Sequence, residues 1–108
     1  MFRKTNLLAS LILMVNSTMS CASELVEVSI KDFKYLPAKV TVKIGTTVRW
    51  INNEKRQYHN VWFEKSGDLE PDYIFPEEFY EKTFNKAGTF PYHCGPHPEM
   101  LGEVIVTE

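Results

Sequence analysis

From Glu24 onward the apolar residues recur at alternate positions in short runs, and no stretch keeps the spacing of an amphipathic helix. Val26, Val28 and Ile30 fall on one face of the first run, and Val40, Val42 and Ile44 alternate with Lys39, Thr41 and Lys43 in the next. A repeat of two marks half-buried strands, because successive side chains leave a strand on opposite faces. Gly45 interrupts the pattern, Thr47 to Ile51 resume it, and the polar Asn52-Asn53-Glu54-Lys55-Arg56 closes it. Further strands are expected at His59–Phe63, Phe79–Phe84, Thr89–His93 and Gly102–Thr107, with a turn at Asn85-Lys86-Ala87-Gly88. The sequence therefore predicts an all-β fold, a two-sheet Greek-key β-sandwich of antiparallel strands. Pro91 cannot donate to a ladder, so its strand should lie at an edge, be bulged, or turn that nitrogen to solvent. Ser66–Glu78, with Pro71 and Pro76, is the long irregular connection; its acids Asp68, Glu70, Asp72, Glu77 and Glu78 read first as a solvated face, second as steering for a cationic partner.

The N-terminus has a different character. Arg3 and Lys4 precede the apolar run Leu7–Val15, and Asn16-Ser17-Thr18-Met19-Ser20-Cys21-Ala22 is small and polar. This is the pattern of a secretory signal peptide, and the run is too short to span a bilayer. Cleavage after Ala22 leaves residues 23–108 as one domain of 86 residues, exported and expected to be periplasmic. A lipoprotein anchored through Cys21 is the lesser alternative, since Thr18 and Met19 suit a lipidation box poorly. Either way Cys21 is no partner for Cys94, and a lone thiol in an oxidising compartment needs another explanation, such as metal ligation. With Arg3 and Lys4 removed, ten basic residues stand against fourteen acidic ones, which argues against a nucleic-acid partner.

That explanation is offered by Tyr92-His93-Cys94-Gly95-Pro96-His97-Pro98-Glu99-Met100, which sets a thiol, an imidazole and a thioether within seven residues. Along the preceding strand Phe90, Tyr92 and Cys94 share the inward face, leaving Pro91 and His93 outward, so His93 is a surface residue rather than a ligand. A second imidazole is then expected from His59, in Tyr58-His59-Asn60-Val61. Taken singly, a buried Cys or Met is ordinary core and a lone His ordinary surface. Taken together, His59, Cys94, His97 and Met100 form the set that suits copper, two imidazoles and a thiolate with a weak axial thioether. Structural zinc sites commonly use two or more cysteines. A Cys-His nucleophile would lack an orienting group and an oxyanion hole, and 86 residues leave little room for a cleft, so no enzyme is expected.

Trp50-Ile51-Asn52, His59-Asn60-Val61, Ala87-Gly88-Thr89 and the Tyr92–Met100 loop resemble the cupredoxins, and among them the amicyanin branch, whose ligand loop has this short C-x-x-H-x-x-M spacing. The resemblance runs over nearly all of residues 23–108. It implies one type 1 copper with His59, Cys94 and His97 equatorial and Met100 axial, and Asn60 tying the His59 segment to the ligand loop. It implies a monomer that shuttles single electrons between larger redox proteins, docking transiently near His97. The branch carries an aromatic residue where this chain has Glu99, and a proline where it has Tyr58. Both flank the exposed histidine, so the branch's partner, methylamine dehydrogenase, is not carried over. The rival reading is a copper protein for tolerance or delivery. Such chains usually carry additional Met or His clusters, whereas Met1, Met14 and Met19 all fall in the leader.

Overall fold

The computed structural model describes residues 24–108; the leader expected over residues 1–22, with Cys21, lies outside them. In chain order the strands are β1 (Leu25–Lys31), β2 (Lys34–Leu36), β3 (Lys39–Lys43), β4 (Thr46–Asn52), β5 (Phe79–Phe84), β6 (Gly88–His93) and β7 (Leu101–Thr107). They form a four-stranded sheet, β2-β1-β4-β5, and a three-stranded sheet, β3-β7-β6. The expected all-β Greek-key sandwich is thus present, and among the described residues the one helical turn is the short 3-10 segment Glu64–Ser66. No helix of the described residues is long and apolar enough to cross a membrane.

Three expectations need correction. The sheets are mixed, because β1 pairs with β4 and β3 with β7 in parallel. Alternation is the same for either strand direction, and the long connections that parallel pairing requires are supplied by strands that cross to the other sheet. His59–Phe63 is not a strand; it makes only two isolated bridges, His59 to Ile74 and Trp62 to His93. Between them the polar groups of Asn60 are spent elsewhere, its carbonyl accepting the Tyr35 hydroxyl and its N–H facing the Cys94 sulfur. Ile44 is exposed, since β3 ends at Lys43 and the turn through Gly45, at φ 96°, carries it off the sheet. Pro91, by contrast, lies on an edge strand as expected.

The core lies between the sheets. Val28, Ile30, Val48 and Trp50 face Val42, Tyr92, Val104 and Val106, each aliphatic side chain contributing about 1.5–3 kcal/mol by burial. Trp50 Nε1–H donates to the Tyr92 hydroxyl at 3.0 Å, so the sheets share a satisfied polar contact as well. Burial pushes the Tyr92 hydroxyl up to about 12, with the Trp50 bond pulling the other way. The ring has room because its register partner is Gly102, where a Cβ would stand 2.2 Å from Tyr92 Cζ. Gly102→Ala should therefore cost about 1–3 kcal/mol by overpacking. Urea unfolding checks this through the midpoint, and an unshifted midpoint would mean that the ring is not held against Gly102.

Candidate metal centre

Parallel pairing of β1 with β4 brings their C-terminal ends to one end of the sandwich, where β6 also ends and β7 begins. The connections that leave these ends therefore converge. They are the β1–β2 turn through Asp32 and Phe33, the loop from Asn53 to Tyr58, and the loop from Cys94 to Met100. Cys94 and His59 are completely buried, and His97 is partly exposed. The His59 and His97 Nδ1 atoms are 3.2 Å apart, and Cys94 Sγ lies 3.7 Å from the first and 3.6 Å from the second. A cation with bonds of roughly 2 Å at the centre of three ligands needs edges of about this length. Met100 is buried and closes the same loop: Cys94 N–H donates to its carbonyl at 3.1 Å, and its own N–H donates to His97 O at 2.9 Å.

The lone pair of His59 is aimed by its other nitrogen. Nε2 lies 2.9 Å from Glu54 Oε2, and a carboxylate only accepts, so the proton sits on Nε2 and Nδ1 faces the site. The same oxygen accepts Phe33 N–H at 2.8 Å. Burial would raise the Glu54 carboxyl, but hydrogen bonds from Phe33, His59 and Asp32 outweigh it and hold it below the usual carboxylate range. Burial lowers His59 below the ordinary histidine value against the opposing pull of Glu54, and the nearby His97 lowers it further. A neutral imidazole is the form a metal takes. Burial also pushes the Cys94 thiol up, partly offset by the Asn60 N–H, so the thiolate itself calls for a cation beside it.

Two asparagines hold the loops. Asn60 N–H points at Cys94 Sγ at 3.4 Å, its Oδ1 accepts Gly95 N–H at 2.7 Å, and its Nδ2 donates to Glu70 and to the Pro71 carbonyl. Gly95 allows this approach, since a Cβ there would stand 1.8 Å from Glu70 Oε2. Asn52, fully buried at the end of β4, donates through Nδ2 to Gln57 O and Ile74 O, both at 2.8 Å, and accepts Glu54 N–H at 2.9 Å. All three of those groups belong to segments that position His59.

The sequence-expected residues His59, Cys94 and His97 are thus brought together. His93 stays outside the group, as expected: it points away, with Nε2 2.7 Å from Glu64 Oε1 and its ring against Trp62. Sequence reasoning missed Glu54, Asn52, Glu70 and Phe33. Phe33 sits at φ 59° in the β1–β2 turn and sets its ring edge-on to His59 and His97, 5.2 and 4.8 Å between centroids. The pair Asp32-Phe33 lacks the glycine that usually announces such a turn. Glu54 had a signal in its place five residues before His59, but it lay inside a run of polar residues that reads simply as a loop.

A two-sheet mixed β-sandwich with buried Cys and His facing a second, partly exposed His at one end defines a cupredoxin. Residues 22–107 match the copper binding proteins of the plastocyanin/azurin family, and the chain belongs to that family, whose metal is a single copper. Amicyanin of Paracoccus versutus is 42% identical over 88 residues, 78% of this chain and 66% of that protein. Amicyanin of Paracoccus denitrificans is 42% identical over 83 residues, covering 73% and 63%. The chain thus spans just under two thirds of the length of these relatives. The crystal structure of amicyanin from Paracoccus versutus superposes with a TM-score of 0.72 at 42% identity, over 77% of this chain and 81% of that one. The donor set fits the metal on its own chemistry, two imidazole nitrogens and a buried thiol being a soft, nitrogen-and-sulfur environment.

Glu54 and Asn52 should separate in their effects. Glu54→Ala releases the His59 ring and should weaken copper binding by roughly 10–100-fold, measured by competition with a chelator. Asn52→Ala leaves Gln57 O and Glu54 N–H without their partner and removes one of the two donors to Ile74 O, and should destabilise even the metal-free protein, by about 1–3 kcal/mol for each group left buried and unpaired. Denaturant unfolding of the metal-free variant checks this, and wild-type stability would contradict the role of Asn52.

Proposed function

We propose that this chain carries single electrons between redox proteins, and that His59, Cys94 and His97 would be the three strong donors to a bound copper and Met100 a weaker fourth. The observation that carries this reading is the buried Cys94 sulfur facing two imidazole Nδ1 atoms within 3.7 Å. When bound, copper supplies a one-electron couple between its cupric and cuprous forms.

The residues around it do the rest. Glu54 and Asn52 keep the His59 ring in one orientation, and the hydrogen bonds of Cys94 and Met100 keep the loop closed, so little needs to rearrange as charge changes. Complete burial of His59 and Cys94 keeps water off the sulfur, and the Asn60 N–H stabilises its negative charge. Pro96 has no N–H to add there, and Pro98 stiffens the approach to Met100. His97 alone of the three reaches the surface, which makes it the route for the electron. Contact with a partner is transient and small, of the order of 1,200 Å² or less. The chain acts as a monomeric carrier rather than an enzyme. Export to the periplasm is supported by Arg3, Lys4 and the apolar run Leu7–Val15.

An optical spectrum tests the reading. Copper-loaded, oxidised protein should show an intense visible thiolate-to-copper band, and Cys94→Ser should abolish it while far-UV circular dichroism stays that of the folded sandwich. A colourless wild-type protein would overturn the proposal. Met100→Ala should keep the band and shift the reduction potential, since a thioether would be the weakest of the four donors; loss of copper binding would contradict that role.

A further inference from the structure

Glu70 belongs to the long acidic connection, where by sequence it is one more solvated side chain. The fold gives it a partner at the metal centre. Its Oε2 accepts Asn60 Nδ2–H at 3.0 Å, and the next residue supplies a second acceptor, Pro71 O at 3.2 Å. The remaining groups of fully buried Asn60 serve the metal-binding loop and the core. Oδ1 takes Gly95 N–H at 2.7 Å, its own N–H faces Cys94 Sγ at 3.4 Å, and its carbonyl takes the Tyr35 hydroxyl. One residue thus connects the Glu70 carboxylate to the donor on the sulfur and to the loop that carries His97.

Room for that carboxylate exists because residue 95 is glycine. A Cβ on Gly95 would stand 1.8 Å from Glu70 Oε2 and 2.8 Å from its Cδ, but 3.3 Å from Asn60 Nδ2. Gly95 is not among the glycines with positive φ, so the backbone there does not demand glycine; the carboxylate does. A charged acceptor also holds Asn60 more firmly than a neutral one, and by polarising the amide it strengthens Oδ1 as the acceptor for Gly95. The ion pairs of the described residues do not include Glu70, so no side-chain cation offsets its charge. That charge is felt at the sulfur. Burial first pushes the Cys94 thiol up, hydrogen bonds from Asn60 and His97 pull it back, and Glu70 adds to the rise.

We infer that Glu70 is a positioning residue of the metal centre. Its carboxylate, seated where a side chain on residue 95 would stand, clamps the Asn60 amide and sets a negative charge beside the thiolate that lowers the reduction potential of the copper-loaded protein. This rests on the copper reading above. The sign follows from charge: a nearby anion favours the more positive, oxidised form of the centre over the reduced one. Gly95 and Glu70 are then a matched pair, one leaving the space that the other fills.

The test is redox titration of the copper-loaded protein, with the visible band and the denaturant midpoint of the metal-free protein measured beside it. Glu70→Gln keeps an oxygen acceptor for Asn60 and removes only the charge. It should favour the reduced form by roughly tenfold, about 59 mV upward for a one-electron couple. The rise should shrink at high salt, while the band and the metal-free midpoint stay at wild-type values. Gly95→Ala should push the flexible Glu70 side chain off Asn60 and raise the potential too, but add no further rise in a Glu70→Ala background. An unchanged or lowered potential in Glu70→Gln would overturn the inference, as would a rise independent of salt, which would assign it to geometry rather than charge. Equal shifts from Gly95→Ala in both backgrounds would show that the carboxylate does not fill that space. Wild-type protein that takes up no copper would instead refute the copper reading itself.

Discussion

The hydrogen bond from His59 Nε2–H to Glu54 is the contact on which the metal centre depends, because it decides which imidazole nitrogen faces the sulfur. The same carboxylate oxygen takes the Phe33 N–H, so one acid joins the β1–β2 turn to the loop after β4. Asn52 in turn holds Glu54 by its backbone and Gln57 and Ile74 by its amide. The bonds of Asn52 and the one between His59 and Glu54 are short and buried or partly buried, where an unpaired group would cost about 1–3 kcal/mol. The His59 ring is therefore set by the fold before any metal is bound.

That arrangement exists because of topology. β1 and β4 run parallel and end together, and β6 ends beside them, so three connections meet over one end of the core. The core beneath is closely packed: Trp50, Tyr35, Phe63 and Tyr92 meet edge to face or tilted at centroid distances between 4.7 and 6.0 Å. Loops on such a base can place ligands closely without metal assistance, which is what a site that changes charge without moving requires.

Exposure then divides the labour. His59 and Cys94 are sealed and His97 is not, so the centre has one side closed to water and one side open to contact. The aromatic rings on that open side are not spread evenly around His97. Phe33 covers one edge of it, and Tyr58 leads away from it to Tyr73 and Phe75. Because Asn52 holds both Gln57, next to Tyr58, and Ile74, the aromatic surface beside His97 and the metal centre behind it are one mechanical unit.

What the sequence by itself determined is whatever depends on near neighbours. Alternation in Val26-Val28-Ile30 and in Thr47 to Ile51 marks strands, and Cys94, His97 and Met100 at three-residue intervals mark a metal-binding loop. His59 was within reach because the chain has so few histidines and one of them, His93, must point away from Cys94. Tertiary structure alone decided the strand directions, since a period of two is blind to parallel and antiparallel pairing. It decided that Ile44 lies outside and that His59–Phe63 makes bridges rather than a strand, because the side chains of Tyr35 and Cys94 take up the backbone hydrogen bonds of Asn60. It also decided the parts played by Glu54, Glu70, Asn52 and Phe33. Each of them reads in the chain as an ordinary loop or surface residue, and each gains its role from a partner that only folding brings near.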